Sequence, residues 1–569
     1  LNQKELKELI RVAKGEAPAD LLLTNARIIN TFTAEVEPAN VAIYGGRIAG
    51  VGDYHQAQQV IDLKGKYLAP GLINGHTHVE SSLLHIAQYA RAVVPRGTSA
   101  LVTDLHEIAN VCGLKGAKYI LGCAERLPLD LFFMVPSCVP ATPLETSGAQ
   151  LTADSVQAAL HWKNTIGLGE MMNFPGVLSS DPEVLLKISL SKGKVIDGHA
   201  PGLGGKELNA YLAAGIGSDH ESTLLEEARE KLNRGMWLMI REGSSEKNLA
   251  SLLPLVGDKT YHRCLFVVDD RSCVDLLKDG DIDAVVRKAI QLGLEPIRAL
   301  QMATINPAQY FRLDGLGAVA PGYLANLIAI ADLSTLDIEM VFHQGKLVAQ
   351  EGKALFPIDM SGDEELRHTI NIKPFSREAL RIPAEKRDYP IIEIVPGQIV
   401  TKKRKEKAKV KEGIVLPDVE RDILKLVVVE RHKATGNIGL GLVKGFGLKR
   451  GAIASSIAHD SHNIVAAGTN DEDIFAAVKE IERLQGGLVI AAGGQVLSAL
   501  PLPIAGLLSD EPLETVVERL ESLEALASDL GCPLTSPFSA LSFLALPVIP
   551  ELRLTDLGLV DVEAFKLLK

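Results

Sequence analysis

The sequence predicts an α/β protein: a (β/α)₈ barrel of the TIM type, a small β-sandwich built from segments flanking it, and a C-terminal α/β domain. Three observations predict this. Between residues 70 and 316, short apolar runs alternate with helix-like stretches eight times. About 250 residues of that alternation is the length of a barrel of parallel strands. Short strand-like runs with glycine turns lie on both sides of the block. The length, 569 residues, leaves room for further domains at roughly 100–200 residues each.

Composition narrows the class. Apolar residues make up 47% and charged residues 23%, which excludes disorder and collagen-like repeats as the main character. Lys plus Arg number 59 against 71 Asp plus Glu, a net charge of −12. That balance argues against a nucleic-acid or anionic-membrane platform. Six scattered cysteines without a CxxC suit a reducing, cytoplasmic compartment. No apolar run reaches the roughly 18 residues of a membrane span.

Taken in order, residues 1–69 open with an amphipathic helix carrying Leu6, Leu9, Ile10 and Ala13 on one face. Strand-like runs follow, punctuated by Gly45-Gly46 and Gly65 as turns. Residues 70–316 form the barrel, with strands expected at 67–78, 98–107, 129–137, 165–173, 194–200, 215–220, 237–243 and 264–270. Residues 317–356 return to short strands and complete the sandwich. Residues 357–420 read as an irregular linker, broken by Pro374, Pro383, Pro390 and Pro396 among others. Its basic run TKKRKEKAKVKE (401–412) reads as a solvated loop or hairpin, because it has no aromatic interleaving. Residues 421–569 form the last domain. Its Gly-rich GNIGLGLVKGFG fails the phosphate-loop pattern and suits turns between strands.

Polar residues fall at the ends of the barrel strands, where such folds carry their active sites. His76 and His78 follow the first strand at spacing i, i+2, so both imidazoles share a face. Glu170 ends an apolar strand, where a carboxylate is costly to bury unless paired or metal-bound. His199 and His220 end two further strands, and Asp269-Asp270 ends the eighth. Four imidazoles and two carboxylates fit a pair of divalent cations. His106, beside Asp104 and Glu107, is a substrate contact, a holder of an extra cation, or a hydrogen-bonding support. Arg241 is a ligand contact or an internal ion pair. In AHDSHN, His459 and His462 belong to a second metal site, a lid over the barrel mouth, or a capped helix start. His78-Val79-Glu80 is a formal H-x-E, but no P-C-x-x-C accompanies it, so the cytidine-deaminase zinc site cannot form.

This order of ligands resembles the amidohydrolase superfamily, as do the flanking strands. Within it the chain resembles the bacterial adenine deaminase family. The resemblance rests on GHTHVESS (75–82), TDLHEIANVCG (103–113), GLGEMMNFPGV (167–177), SDHEST (218–223), MIREGSSEKNL (239–249), VVDDR (267–271) and VKGFGLKRGAIASSIAHDSHNI (443–464). It implies hydrolytic deamination of adenine in purine salvage, by a homo-oligomer. Two divalent ions, Mn²⁺ or Fe²⁺ with Zn²⁺ as an alternative, would be held by His76, His78, Glu170, His199, His220 and Asp269. Asp269, Glu170 and His220 would be catalytic, with Asp269 the general base. Glu80, His106, Arg241 and Asp270 would contact substrate. The chain departs from the family pattern at Asn74, where Asp is usual, and at Val268, where Thr is usual; the expectation is a tuned site, with Asn74 orienting the ligands by hydrogen bonding. The rival functions are cyclic-amide or N-acyl hydrolysis on the same metals, and a non-enzymatic scaffold. The complete ligand set argues against the scaffold.

Overall fold

The computed structural model describes residues 2–361 and 364–568. The first helix, Gln3–Ala13, starts in a capping box between Asn2 and Glu5. It buries Leu9 and Val12 and leaves Leu6 and Ile10 about half exposed, so its inner face is rotated from the one the periodicity suggests.

The flanking strands join in one nine-stranded sheet. Five come from before the central block (Ala19–Asn30, Glu35–Tyr44, Arg47–Gly52, Ala57–Asp62, Tyr67–Pro70) and four from after it (Leu327–Ile330, Ile338–His343, Lys346–Gln350, Lys353–Ala354). The seam is antiparallel, with Pro70 opposite Leu327. Gly45 and Gly46 both have positive φ (56° and 76°) and form the two-residue turn that pairs Tyr44 with Arg47. The sheet folds over on itself: Ile48 N donates to Tyr323 O at 2.9 Å, and Val41, Ile43, Leu68, Leu327 and Phe342 share one core. The expected sandwich is thus a single sheet whose two arms face each other.

Within the central block the strands are Leu72–Asn74 continuing as Thr77–His78, Thr98–Thr103, Asp130–Val135, Thr165–Met171, Val195–Gly198, Ser218–Asp219, Trp237–Arg241, and Cys264–Val267 continuing as Asp269–Asp270. Every recorded pairing among them is parallel. They divide into hydrogen-bonded sheets of five, three and two strands. Gly217 N donates to Ile196 O at 2.9 Å between the first two of these, and Asp269 pairs with Thr77 in the third. Thr98–Thr103 is buried at every position, as a parallel strand covered on both faces should be.

The last sheet has eight strands. It includes Asp388–Ile394 and Thr401–Lys407, so the stretch read as irregular supplies two of its strands. The basic run is an edge strand with Lys402, Lys403, Arg404 and Lys405 exposed; exposed charge on an edge discourages pairing with other chains. Lys403 pairs with Asp561, and Arg404 with Glu393, at 2.5 and 2.6 Å. The Gly-rich segment is also strand, Ile438–Lys444. A Cβ on Gly439 would sit 1.9 Å from Thr555 O, so that glycine serves close backbone approach rather than a turn.

This domain packs on the central block without a break in the apolar core. Leu84 and Leu105 share a cluster with Leu507, Leu513 and Leu541. Ser509 N donates to Leu83 O at 2.7 Å, and Arg91 meets Glu514 through two bonds of 2.7 Å. Among the described residues, no helix is long and apolar enough to cross a membrane.

Candidate active site

Each chemical side chain is placed by a strand end. Gly75 lets the first strand pass the eighth, since a Cβ there would lie 2.5 Å from Leu265 Cδ1. His76 O then accepts from Asp269 N at 3.0 Å. Asp269 has a φ of +61°, a left-handed conformation costing about 1–2 kcal/mol for a non-glycine residue. Asn74, wholly buried, ties the same strands: its Oδ1 accepts from His76 N and Val268 N at 3.4 Å, and its Nδ2 donates to Asp281 at 3.1 Å.

The predicted ligands converge. His78 Nε2 lies 3.1 Å from Asp269 Oδ1 and 3.3 Å from Glu170 Oε1. His76 Nε2 is 3.8 Å from Asp269 Oδ1 and 3.9 Å from Glu170 Oε1. Glu170 Oε2 faces the other way, 2.6 Å from His199 Nδ1 and 3.4 Å from His220 Nε2. The His76 and His220 rings stack with centroids 4.3 Å apart.

The donor chemistry fits divalent cations. His76 Nε2 is buried without a hydrogen bond. Its separations of 3.8–3.9 Å from two carboxylates are too long for hydrogen bonds but match two ligands on one ion with bonds of about 2.0–2.2 Å. His76, His78 and Asp269 form one compact group of ligand atoms, and His76, Glu170 and His220 another. Buried imidazole and carboxylate clusters of this kind accommodate a binuclear metal centre.

Electrostatics describe the same enclosure. Burial pushes the His76 imidazole down to about 3, helped by the charges of His220 and His78. Burial raises the Glu170 carboxyl, but hydrogen bonds with His199, His220 and His78 outweigh it and hold the group well below its ordinary range. For Asp269 burial is likewise overcome, here by the Arg241 guanidinium and by His78.

The remaining predicted residues surround this cluster. Glu80 Oε1 accepts from Ile108 N at 3.1 Å. His106 Nδ1 lies 3.0 Å from Asp104 Oδ1 and 3.6 Å from Glu170 Oε1. Asp270 accepts a hydrogen bond from Ser81 Oγ. Arg241 is engaged internally, with Nη1 2.5 Å from both Glu221 and Asp269. His459 and His462, from the last domain, both reach Glu107. Glu221 was not anticipated. It lies 3.4 Å from His220 Nε2 and 3.7 Å from His199 Nδ1, forming a further compact group with them. The only sequence signal was its place beside His220 at a strand end.

Residues 67–348 match the amidohydrolase family model, and residues 398–566 match the adenine deaminase C-terminal domain. An adenine deaminase of Dehalococcoides mccartyi is 62% identical over 566 residues, covering 100% of this chain and 99% of that one. Adenine deaminase 2 of Carboxydothermus hydrogenoformans is 52% identical, covering 99% of each. The adenine deaminase of Methanothrix thermoacetophila is 47% identical, covering 98% of each. On full-length identity as well as on both domain matches, the chain belongs to the adenine deaminase family of the amidohydrolase superfamily.

Proposed function

We propose that this chain hydrolyses adenine to hypoxanthine and ammonia at the mouth of a closed eight-stranded barrel. Support for closure comes from the side chains. Ile73, Ala100, Val102, Met134, Val195, Met239, Leu265 and Val267 share one core, while the intervening Leu101 and Phe266 belong to another. Alternation of that kind, repeated over six strands, is what an interior and an exterior require.

One ion would be held by His76, His78 and Asp269 and the other by His199 and His220, with the Glu170 carboxylate available to both. The observation that carries this reading is the two-sided placement of Glu170. Its Oε1 faces His78 and its Oε2 faces His199 and His220. Mn²⁺ or Fe²⁺ suits the mixed nitrogen and oxygen donors, with Zn²⁺ as the alternative.

When bound, the two ions supply an activated water near neutral pH. Asp269 would be the general base, taking the proton released when water adds to the purine carbon bearing the amino group. Arg241 keeps Asp269 ionised and aimed, through its 2.5 Å contact with Oδ2. Asp269 passes the proton toward the amino nitrogen, the carbon–nitrogen bond breaks, and ammonia leaves. Glu170 and His220, 3.4 Å apart, would complete the catalytic set by holding the ions that activate the water. Glu80, His106 and Asp270 face the purine, and Arg241 borders it. His459 and His462 belong to a loop that closes the mouth and excludes bulk water. A cytoplasmic location is supported by six unpaired cysteines, and a homo-oligomer is part of the same proposal.

A purine panel assayed on the Mn²⁺-loaded protein tests the reading. Ammonia should be released from adenine. Turnover of cyclic amides or N-acyl amino acids with none of adenine would overturn it.

A further inference from the structure

Two buried carboxylates at the domain junction take no part in the reaction above. Glu107 is the second residue of the helix His106–Cys112. Asp460 lies on the loop between the strands Ala452–Ser455 and Ile464–Gly468. Both are at least 95% buried. Glu107 has partners: its Oε1 lies 2.7 Å from His459 Nδ1 and 3.5 Å from His106 Nε2. Asp460 does not. Its Oδ2 is buried with no hydrogen-bond partner, and its Oδ1 stands 4.0 Å from His106 Nε2 and 3.9 Å from His459 Nδ1.

Those gaps matter. A buried carboxylate left without donors is strongly disfavoured. Separations of 3.9–4.0 Å exceed a hydrogen bond but match two ligands on a common cation with bonds of about 2.0–2.2 Å. His106 is already set for ligation. Its Nδ1 lies against Asp104 at 3.0 Å; with the ring proton on that nitrogen, the Nε2 lone pair faces Glu107 and Asp460. His106, Glu107 and Asp460 bring their ligand atoms together as compactly as the groups in the main site do.

We propose that His106 Nε2, Glu107, His459 and Asp460 hold a further divalent cation, distinct from the bridged pair. The donor set, two imidazoles and two carboxylates, selects manganese, iron or zinc over calcium. Two ligands come from the barrel and two from the last domain, so the ion pins the loop 457–463 over the barrel mouth. His106 joins this ion to the main site, because its other nitrogen faces Asp104 and Glu170.

Metal content of the full-length protein tests the proposal. Apo-protein is reloaded with Mn²⁺, freed of excess ion, and analysed for metal per chain. Asp460→Asn should hold one ion fewer than the unsubstituted protein. That difference is expected whatever number the main site binds, so failure of the bridged-pair reading would show separately, in the remaining count. Equal counts in the two proteins would overturn the proposal and leave the cluster as a proton-sharing ion pair. Should Asp460→Asn fail to fold, anomalous diffraction from Mn²⁺-loaded crystals of the unsubstituted chain decides. A peak between His106 Nε2 and the Asp460 carboxylate is expected, and its absence at full occupancy of the main site overturns the proposal.

Discussion

His459 Nδ1 lies 2.7 Å from Glu107 Oε1 across 352 positions of sequence. Both groups are largely buried, and His459 is further fixed by stacking on Phe543 with ring centroids 4.7 Å apart. Glu107 is next in sequence to His106, which touches Asp104 and Glu170. The last domain is therefore part of the wall of the site.

Loosening that wall should be visible in rate. His459→Ala removes the contact and leaves Glu107 with fewer partners. Near-normal far-ultraviolet circular dichroism and a fall in kcat/KM of about 10-fold or more are expected for a closing loop. Unchanged kinetic constants would show that the loop does not serve the reaction.

The paired-ion reading sets how activity returns to the apo-protein. With Mn²⁺ added stepwise, turnover should require a second equivalent. Full turnover at one equivalent would mean that a single ion suffices.

Glu170 offers a sharper cut. Glu170→Gln keeps the shape but removes the charge that faces two sets of imidazoles. Metal content and rate should fall together. A protein that retained both ions and near-normal rate would need another bridging group.

The adjacent aspartates separate by direction. Asp269 faces His78 and Arg241, whereas Asp270 accepts from Ser81. Asp269→Asn should lower kcat by about 10²–10⁴-fold, the usual range for a lost general base. Asp270→Asn should act mainly on KM. The opposite ranking would move the proton-accepting role to Asp270.

A pH effect is expected far from the reaction. Burial pushes the Glu524 carboxyl up to about 7, with help from Glu521 and Asp275. A raised carboxyl pKa favours the folded state below the unfolded value of 4.5, and that stability is lost as pH climbs to about 7. Glu524→Gln stays neutral and keeps it. Its melting temperature should match the unsubstituted protein near pH 4.5 and exceed it at pH 8; parallel curves across that range would refute the account.

The sequence was most legible where chemistry coincides with strand ends. His76, His78, Glu170, His199, His220 and Asp269 converge because parallel strands deliver their last residues to one side. Glu221 escaped notice because strand alternation would turn it away from His220. The strand Ser218–Asp219 stops before either residue, so alternation no longer governs them. The basic run, read as a loop or hairpin, is one arm of a hairpin with Asp388–Ile394; the choice between the two was not legible because only Thr401 in the strand Thr401–Lys407 is buried, which leaves no apolar period to read. Leu6 and Ile10 fit a helical face equally well, and only the docking of the helix shows that Leu9 and Val12 are the inner pair.

The seam between Tyr67–Pro70 and Leu327–Ile330 also has a meaning in time. Roughly 250 residues must leave the ribosome after the first of these strands before its partner exists, or about 10–50 s at ordinary synthesis rates. For that interval the N-terminal half of the sheet carries an unfinished edge, the kind of surface through which nascent chains stick to one another. The central block emerges as a long detour in a sheet that only its completion allows to close. Its two ends are then fastened side by side by the antiparallel pairing of Pro70 with Leu327.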